Sequence, residues 1–120
     1  MPGHLTTHVL DTANGRPAVG MAVELFRVDP ESGAREHLGL VRTNADGRTD
    51  GPLLTGEGLR EGVYELIFDV GDYFATAGDA TADIPFLDRV PVRFGVADSE
   101  AHYHVPLLTS PWSYTTYRGR

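Results

Sequence analysis

Three of the five histidines stand in segments that could support acid–base chemistry. His102 and His104 are two residues apart, so both imidazoles would share one face if the segment forms a β-strand. His8 lies in Thr7-His-Val-Leu-Asp11, where Val9 would point to the opposite face. Histidine titrates near neutral pH and can therefore take a proton from water and return it later. Two interpretations stay open: reactive groups, or surface histidines without a chemical role.

The residues that alternate with this pair indicate where the histidines point. Tyr103, Val105 and Leu107 would form the core face of the strand, so His102 and His104 would face solvent or a partner subunit. We do not predict a metal site, because a pair of histidines lacks the third ligand that such a site needs. His4 and His8 do not form a zinc pair of their own, because the glutamate of the metalloprotease motif is missing and on a strand they would stand about 13 Å apart.

Several cationic and aromatic residues are further candidates. Arg48 directly follows the turn signal Asn44-Ala-Asp-Gly, and composition alone would make it a solvated turn residue. Tyr117 and Arg118 take adjacent, opposite-facing positions near the C-terminal end of the sequence. All basic residues of the chain are arginines, so finding arginine at a position does not by itself indicate a need for its fork-shaped donors.

Hydrophobic periodicity predicts the elements that position these residues. Alternation with a period of two predicts strands over 5–11, 21–28, 36–43, 64–70, 90–96, 101–108 and 113–118. A short helix is predicted over 71–78, with Asp72 as its N-cap and Gly78 at its end. We therefore predict one domain over residues 1–120, an all-β antiparallel sandwich with one short helix.

Composition excludes several functional classes. The formal net charge of −7 argues against binding to nucleic acid or to an anionic membrane surface. The chain contains no cysteine, which excludes disulfides, thiol nucleophiles and cysteine-based metal sites. No apolar run is long enough to span a membrane, and no secretory signal is recognised, so we expect a cytoplasmic protein. Serine-elbow, Walker A and dinucleotide-binding motifs are missing from the sequence.

The order of several short motifs resembles a known family. Thr7-His-Val-Leu-Asp11, Gly15-Arg-Pro-Ala18, Thr43-x-x-Asp-Gly-Arg48, Gly71-Asp-Tyr-Phe74, His102-Tyr-His-Val-Pro-Leu-Leu108 and Ser113-Tyr-x-Thr-Tyr-Arg-Gly119 together resemble the 5-hydroxyisourate hydrolases, the transthyretin-related family of purine catabolism. The resemblance implies a transthyretin-like β-sandwich of two four-stranded antiparallel sheets with one short helix. It also implies a homotetramer, built as a dimer of dimers, with active sites in the channel between the dimers.

The resemblance further implies an activity and its residues. The reaction is hydrolysis of 5-hydroxyisourate to 2-oxo-4-hydroxy-4-carboxy-5-ureidoimidazoline, without a metal or organic cofactor. The family's catalytic positions fall on His8, Arg48 and His104. Substrate-binding positions fall on His8, Arg48 and the Tyr117-Arg118-Gly119 segment, with His102 as a neighbour. His104 would act as general base or would orient the water, and Arg48, or else Arg118, would meet the oxyanion.

The sequence departs from the family pattern at one position, and two other functions are alternatives. The family pattern ends Tyr-Arg-Gly-Ser, whereas Arg120 stands here in place of the serine, so the chain lacks that hydroxyl. The alternative function is that of a non-catalytic carrier, which would bind a small aromatic ligand in the channel between the dimers. A β-sandwich interaction module is a further alternative, but it would give no reason for the outward-facing histidines and arginines.

Overall fold

Strands dominate the computed structural model, which describes residues 2–79 and 82–119. Within these ranges the chain forms nine strands and one α-helix, in the order β1 (His4–Asp11), β2 (Arg16–Pro17), β3 (Ala22–Val28), β4 (Arg35–Arg42), β5 (Leu54–Thr55), β6 (Gly62–Asp69), α1 (Val70–Ala77), β7 (Arg89–Val96), β8 (His102–Thr109) and β9 (Tyr114–Thr116). A single 3₁₀ turn, Gly56–Gly58, follows β5. No helix in the described part of the chain is long and apolar enough to span a membrane.

The strands form two sheets, as the sequence predicts for an all-β sandwich with one short helix. One sheet has the order β4-β3-β6-β7, with every pair antiparallel. The other has the order β2-β1-β8-β9, and β5 also pairs with β1. This second sheet differs in detail from the expected four antiparallel strands, because it includes a parallel pair, β1 and β8, and the two-residue strands β2 and β5.

Neither difference could be found from the alternation of side chains. Period two shows which face of a strand is buried, but it carries no information on the direction of the neighbouring strand. A strand of two residues is too short to show any alternation. β5 pairs with the start of β1 and β2 with its end, both on the edge of β1 that faces away from β8.

The core lies between the two sheets, on the faces that the alternation indicates. Val23 and Leu25 of β3 and Tyr64, Leu66 and Phe68 of β6 are buried. They meet the buried side chains of the other sheet, which are Leu5 and Val9 of β1 and Tyr103, Val105 and Leu107 of β8. Burial of a large apolar side chain contributes about 1.5–3 kcal/mol, so this shared layer fixes both sheets. The opposite faces of β1 and β8 are thereby left outside the core.

The helix begins earlier than the sequence indicates. Its N-cap is Asp69, whose side chain accepts a hydrogen bond from the backbone N–H of Asp72, so the prediction of Asp72 as N-cap is wrong. The reason is that β6 continues into the helix without a loop, and Val70 is buried as a helical residue although it also fits the strand pattern. The predicted end is confirmed, because Gly78 adopts the left-handed conformation with φ of 87°.

Candidate active site

The parallel pairing of β1 with β8 assembles a face rich in histidine. His4 is the register partner of His102, and Thr6 is the partner of His104. Because the partners lie side by side and alternate residues share a face, His4, Thr6 and His8 point to the same side as the two β8 histidines. This face is the one opposite the core. His8 and His104 are half-buried there, and His102 is exposed.

A threonine hydroxyl joins the two β8 histidines. Oγ1 of Thr6 lies 2.7 Å from Nε2 of His102 and 2.8 Å from Nδ1 of His104. The ring of His4 stacks on His102 with the centroids 4.0 Å apart and the planes at 19°. Sequence reasoning did not identify Thr6. Its position between His4 and His8 on the alternating strand was a signal, but its contacts depend on the pairing of β1 with β8.

Arg48 is brought to the same face from a turn. The residue forms an isolated antiparallel bridge with His8, on the edge of β1 that β8 does not use. The side chain of Asn44 shapes the turn, because its Oδ1 accepts hydrogen bonds from the backbone N–H of Asp46 and of Arg48. At Gly47 φ is 74°, and a β-carbon there would lie 2.4 Å from the backbone oxygen of Val9. Glycine is therefore required for the turn to approach β1 closely enough to deliver Arg48.

The hydrogen bond of His8 assigns its proton. Nε2 of His8 lies 2.9 Å from the backbone oxygen of Asp46. A carbonyl oxygen can only accept, so Nε2 carries the hydrogen of the neutral ring. Nδ1 of neutral His8 is then left with a lone pair, which suits it to receive a hydrogen bond from a substrate N–H.

The surroundings of His104 favour its neutral form. Burial lowers the pKa of His104 below its ordinary value of 6.5, and the nearby Arg48, His102 and His8 lower it further. The pKa of His102 is also lowered, first by burial and then by His4 and Arg118. A neutral imidazole has one nitrogen with a lone pair. At neutral pH His104 is therefore able to act as a base.

The backbone of Gly119 pairs with β8 beside the ring of His104. The backbone N–H of Gly119 donates to the backbone oxygen of His104 at 2.8 Å, and the two residues form an isolated bridge. A β-carbon at position 119 would lie 2.6 Å from Cδ2 of His104. Only glycine fits this contact. Arg120, the position at which the sequence departs from the family pattern, lies outside the described residues.

Two predicted binding residues do not join the histidine face within one chain. The guanidinium carbon of Arg118 lies 4.2 Å from the ring centroid of Tyr103, a residue of the core-facing side, and its Nη2 donates to the backbone oxygen of His102 at 3.3 Å. Arg118 and Tyr117 both line a cavity of about 350 Å³ between β7 and the end of the other sheet. The structure therefore brings together His8, Arg48, His104 and His102, but it places Tyr117 and Arg118 around the edge of the sheet.

Among residues 2–79 and 82–119, no three side chains of histidine, aspartate or glutamate are arranged to hold a metal ion. The contacts of the histidine rings are instead to Thr6, to a backbone carbonyl and to one another.

Comparison with known proteins decides the family. A family model described as HIUase/Transthyretin family matches residues 5–119. The chain belongs to the HIUase/transthyretin family. Among curated relatives of this family member is 5-hydroxyisourate hydrolase 2 from Rhizobium meliloti (strain 1021). It is 57% identical over 117 residues, which are 98% of this chain and 96% of the relative.

Two solved structures that are similar to this chain have names that indicate different functions. An (S)-allantoin synthase superposes with a TM-score of 0.92 at 49% identity; the match covers 99% of this chain but only 44% of that chain. Sea bream transthyretin in complex with thyroxine superposes with a TM-score of 0.84 at 29% identity, covering 96% of this chain and 93% of the other. The fold of this family member is thus transthyretin-like, and the fold alone does not assign one function.

Proposed function

We propose that this protein hydrolyses 5-hydroxyisourate to 2-oxo-4-hydroxy-4-carboxy-5-ureidoimidazoline. The observation that carries the proposal is the grouping of His104, His8 and Arg48 on one exposed face, with the pKa of His104 lowered. The name of the Rhizobium relative, at 57% identity over almost the whole chain, supports the same activity.

In the proposed mechanism His104 is the general base. Nδ1 of His104 is engaged by Thr6, so Nε2 is the nitrogen that would take a proton from water. The water oxygen then forms a bond to the ring carbonyl carbon of the substrate, and the carbonyl oxygen becomes an oxyanion. When the C–N bond of the ring breaks, the leaving nitrogen takes the proton back from His104. One proton is therefore borrowed and returned, as general acid–base catalysis requires.

Arg48 and His8 would hold the substrate during these steps. The guanidinium of Arg48, exposed beside His8, would neutralise the developing oxyanion, and its fixed charge needs no reorganisation at that moment. His8 would accept a substrate N–H at Nδ1 because its Nε2 is occupied by the Asp46 carbonyl. In this scheme the chain supplies the base and the positive charge, and water supplies the proton, so we propose that no metal or organic cofactor takes part.

The remaining binding roles depend on assembly. The family resemblance leads us to propose a homotetramer, a dimer of dimers, whose channel covers the exposed histidine faces. In that setting Tyr117, Arg118 and His102 would complete the walls of the site, since in one chain two of them lie at the sheet edge. The strongly exposed Trp112, on the loop between β8 and β9, is consistent with such contacts.

The cytoplasmic location of the protein stays a prediction.

The deciding experiment is a direct assay of the wild-type protein. 5-Hydroxyisourate decays spontaneously, so its absorbance is followed with and without micromolar protein. We expect a large acceleration over the uncatalysed decay, saturable in substrate. A decay rate that does not change with protein concentration would contradict the proposed activity.

The similarity to the thyroxine complex of sea bream transthyretin favours the alternative function, a carrier of a small aromatic ligand. Calorimetric titration of the same protein with thyroxine separates the two. Tight thyroxine binding without acceleration of the decay would identify a carrier. Acceleration without tight thyroxine binding would support the hydrolase.

A further inference from the structure

We propose that Thr6 is a positioning residue that couples the tautomers of His102 and His104, so that the lone pair needed for catalysis stays on Nε2 of His104. This inference rests on the proposed function for its consequence in catalysis, but the coupling itself is a property of the hydrogen bonds. Its basis is the single hydroxyl that contacts a ring nitrogen of each histidine, at 2.7 Å and 2.8 Å.

The hydroxyl hydrogen of Thr6 determines which ring nitrogens of His102 and His104 can be protonated. The hydroxyl of Thr6 has one hydrogen to donate and two lone pairs that can accept. Within residues 2–79 and 82–119 it contacts no acceptor other than the two ring nitrogens, so its hydrogen goes to one of them and the other nitrogen donates to it. The contacted nitrogens are Nε2 of His102 and Nδ1 of His104. Two arrangements satisfy this condition, and they differ at both rings together.

In the first arrangement Nδ1–H of His104 donates to Thr6, and Thr6 donates to Nε2 of His102. Both rings then carry their hydrogen on Nδ1, and Nε2 of His104 has the lone pair that a general base needs. In the second arrangement Nε2–H of His102 donates to Thr6, and Thr6 donates to Nδ1 of His104. Both rings then carry their hydrogen on Nε2, and His104 has no lone pair to offer to water.

The groups around His104 favour the first arrangement. The guanidinium of Arg48 lies close enough to lower the pKa of His104, and a nearby positive charge favours a lone pair over an N–H on the nitrogen that Thr6 does not contact. In addition, no hydrogen bond to Nε2 of His104 is formed within residues 2–79 and 82–119, so this nitrogen is left for water or substrate. His4, stacked on His102, holds that ring in the plane of its contact with Thr6.

The consequence is that a residue which touches no reacting atom sets the protonation of the base. Strand register puts Thr6 directly beside His104, and its β-branched side chain has few rotamers, so the hydroxyl is held in place. Removal of the hydroxyl would leave each ring free to select its tautomer independently. Part of the His104 population would then be unable to start the reaction.

The experiment compares Thr6→Val, which keeps the shape and loses the hydroxyl, with Thr6→Ser, which keeps the hydroxyl. Thr7→Val is the matched control, because Thr7 is the next residue of β1 but its hydroxyl donates to the backbone oxygen of Val105 in the core. Nitrogen-15 NMR of the histidine rings distinguishes a protonated nitrogen from one with a lone pair. Hydrolysis is measured on the same samples, and circular dichroism monitors folding.

In wild-type protein we expect both His102 and His104 to be protonated on Nδ1. Thr6→Val should change the tautomer of at least one ring and lower kcat roughly 10- to 100-fold, with little change in KM. Thr6→Ser and Thr7→Val should keep the wild-type tautomers, and Thr6→Ser should stay within about threefold of the wild-type kcat. If Thr6→Val does not fold, Thr6→Ala takes its place.

Three results would overturn the inference: different tautomers at the two rings in wild-type protein, unchanged tautomers in Thr6→Val, or a tautomer change in Thr7→Val equal to that in Thr6→Val. The two proposals fail in different ways. If wild-type protein does not accelerate 5-hydroxyisourate decay, the proposed function is wrong, while the NMR measurement still decides whether Thr6 couples the rings.

Discussion

Gly119 lies against the ring of His104 so closely that a β-carbon at position 119 would stand 2.6 Å from Cδ2. The backbone of Gly119 is bonded to the backbone oxygen of the same histidine, so the glycine cannot retreat without loss of that bond. The backbone at Gly119 therefore limits the orientation of the His104 ring, the proposed general base.

The first prediction follows from this contact. Gly119→Ala should turn the His104 ring out of place and lower kcat/KM for 5-hydroxyisourate about 10- to 100-fold, because displacement of a catalytic group by about 1 Å has effects of this size. The melting temperature should change little, since the residue lies outside the core. Gly39→Ala is the control, because a β-carbon there meets nothing within 4 Å. Equal activity of the two variants would show that the contact does not matter.

The second prediction concerns the histidines themselves. His104→Asn should lower kcat by about 10²- to 10⁴-fold, the range that a general base contributes, and His8→Asn should raise KM as well. His37→Asn is the matched control, because His37 lies on the sheet that does not carry the site and its Nε2 is 3.0 Å from Oε2 of Glu24 on the neighbouring strand. Steady-state rates corrected for spontaneous decay make the comparison. Wild-type turnover in both His104→Asn and His8→Asn would remove these residues from the mechanism.

The third prediction is a pH dependence. A base must be neutral, so activity should fall as the pH drops through the pKa of His104, which lies below 6.5. Burial is the largest cause of that lowering and Arg48 the next, so Arg48→Gln should raise the pKa of His104 part of the way toward 6.5. The acid limb of the rate profile should then move to higher pH. Titration of the His104 ring by NMR checks the same shift without relying on activity.

Stability should respond to pH with a matching sign. The folded state holds His104 neutral at pH values where the unfolded chain is already protonated, so the unfolded state binds more protons. The free energy of unfolding should therefore decrease as the pH falls from 6.5 to the lower pKa of the folded state. Urea unfolding at several pH values tests this, with His104→Asn expected to show a weaker decrease.

The prediction for Arg48→Gln has a control in Arg42→Gln. This variant also removes one arginine charge, but it should leave the titration of His104 and the acid limb of the rate profile unchanged.

The alternation of side chains was sufficient to predict the sandwich and its faces. It assigned Tyr103, Val105 and Leu107 to the core, and their burial confirms that assignment. It also placed His8, His102 and His104 outside the core, because neighbouring residues of a strand point in opposite directions. The end of the helix at Gly78 was predictable for an equally local reason, the left-handed conformation that favours glycine. The start of the helix was not, since Asp69 and Val70 also fit a strand.

The residue types of the site, and its place outside the core, are therefore determined by the sequence alone. The tertiary structure decided which of those residues meet. In the tertiary structure β1 runs parallel to β8, so Thr6 lies beside His104. The turn that contains Gly47 places Arg48 beside His8, and the side chain of Arg118 lies against Tyr103. The physical reason is that alternation and turn preferences depend on residues close together in the chain. They therefore do not show which distant segments pair. The contact of Thr6 with His104 joins residues 98 positions apart, and it exists because β1 pairs with β8 in one sheet.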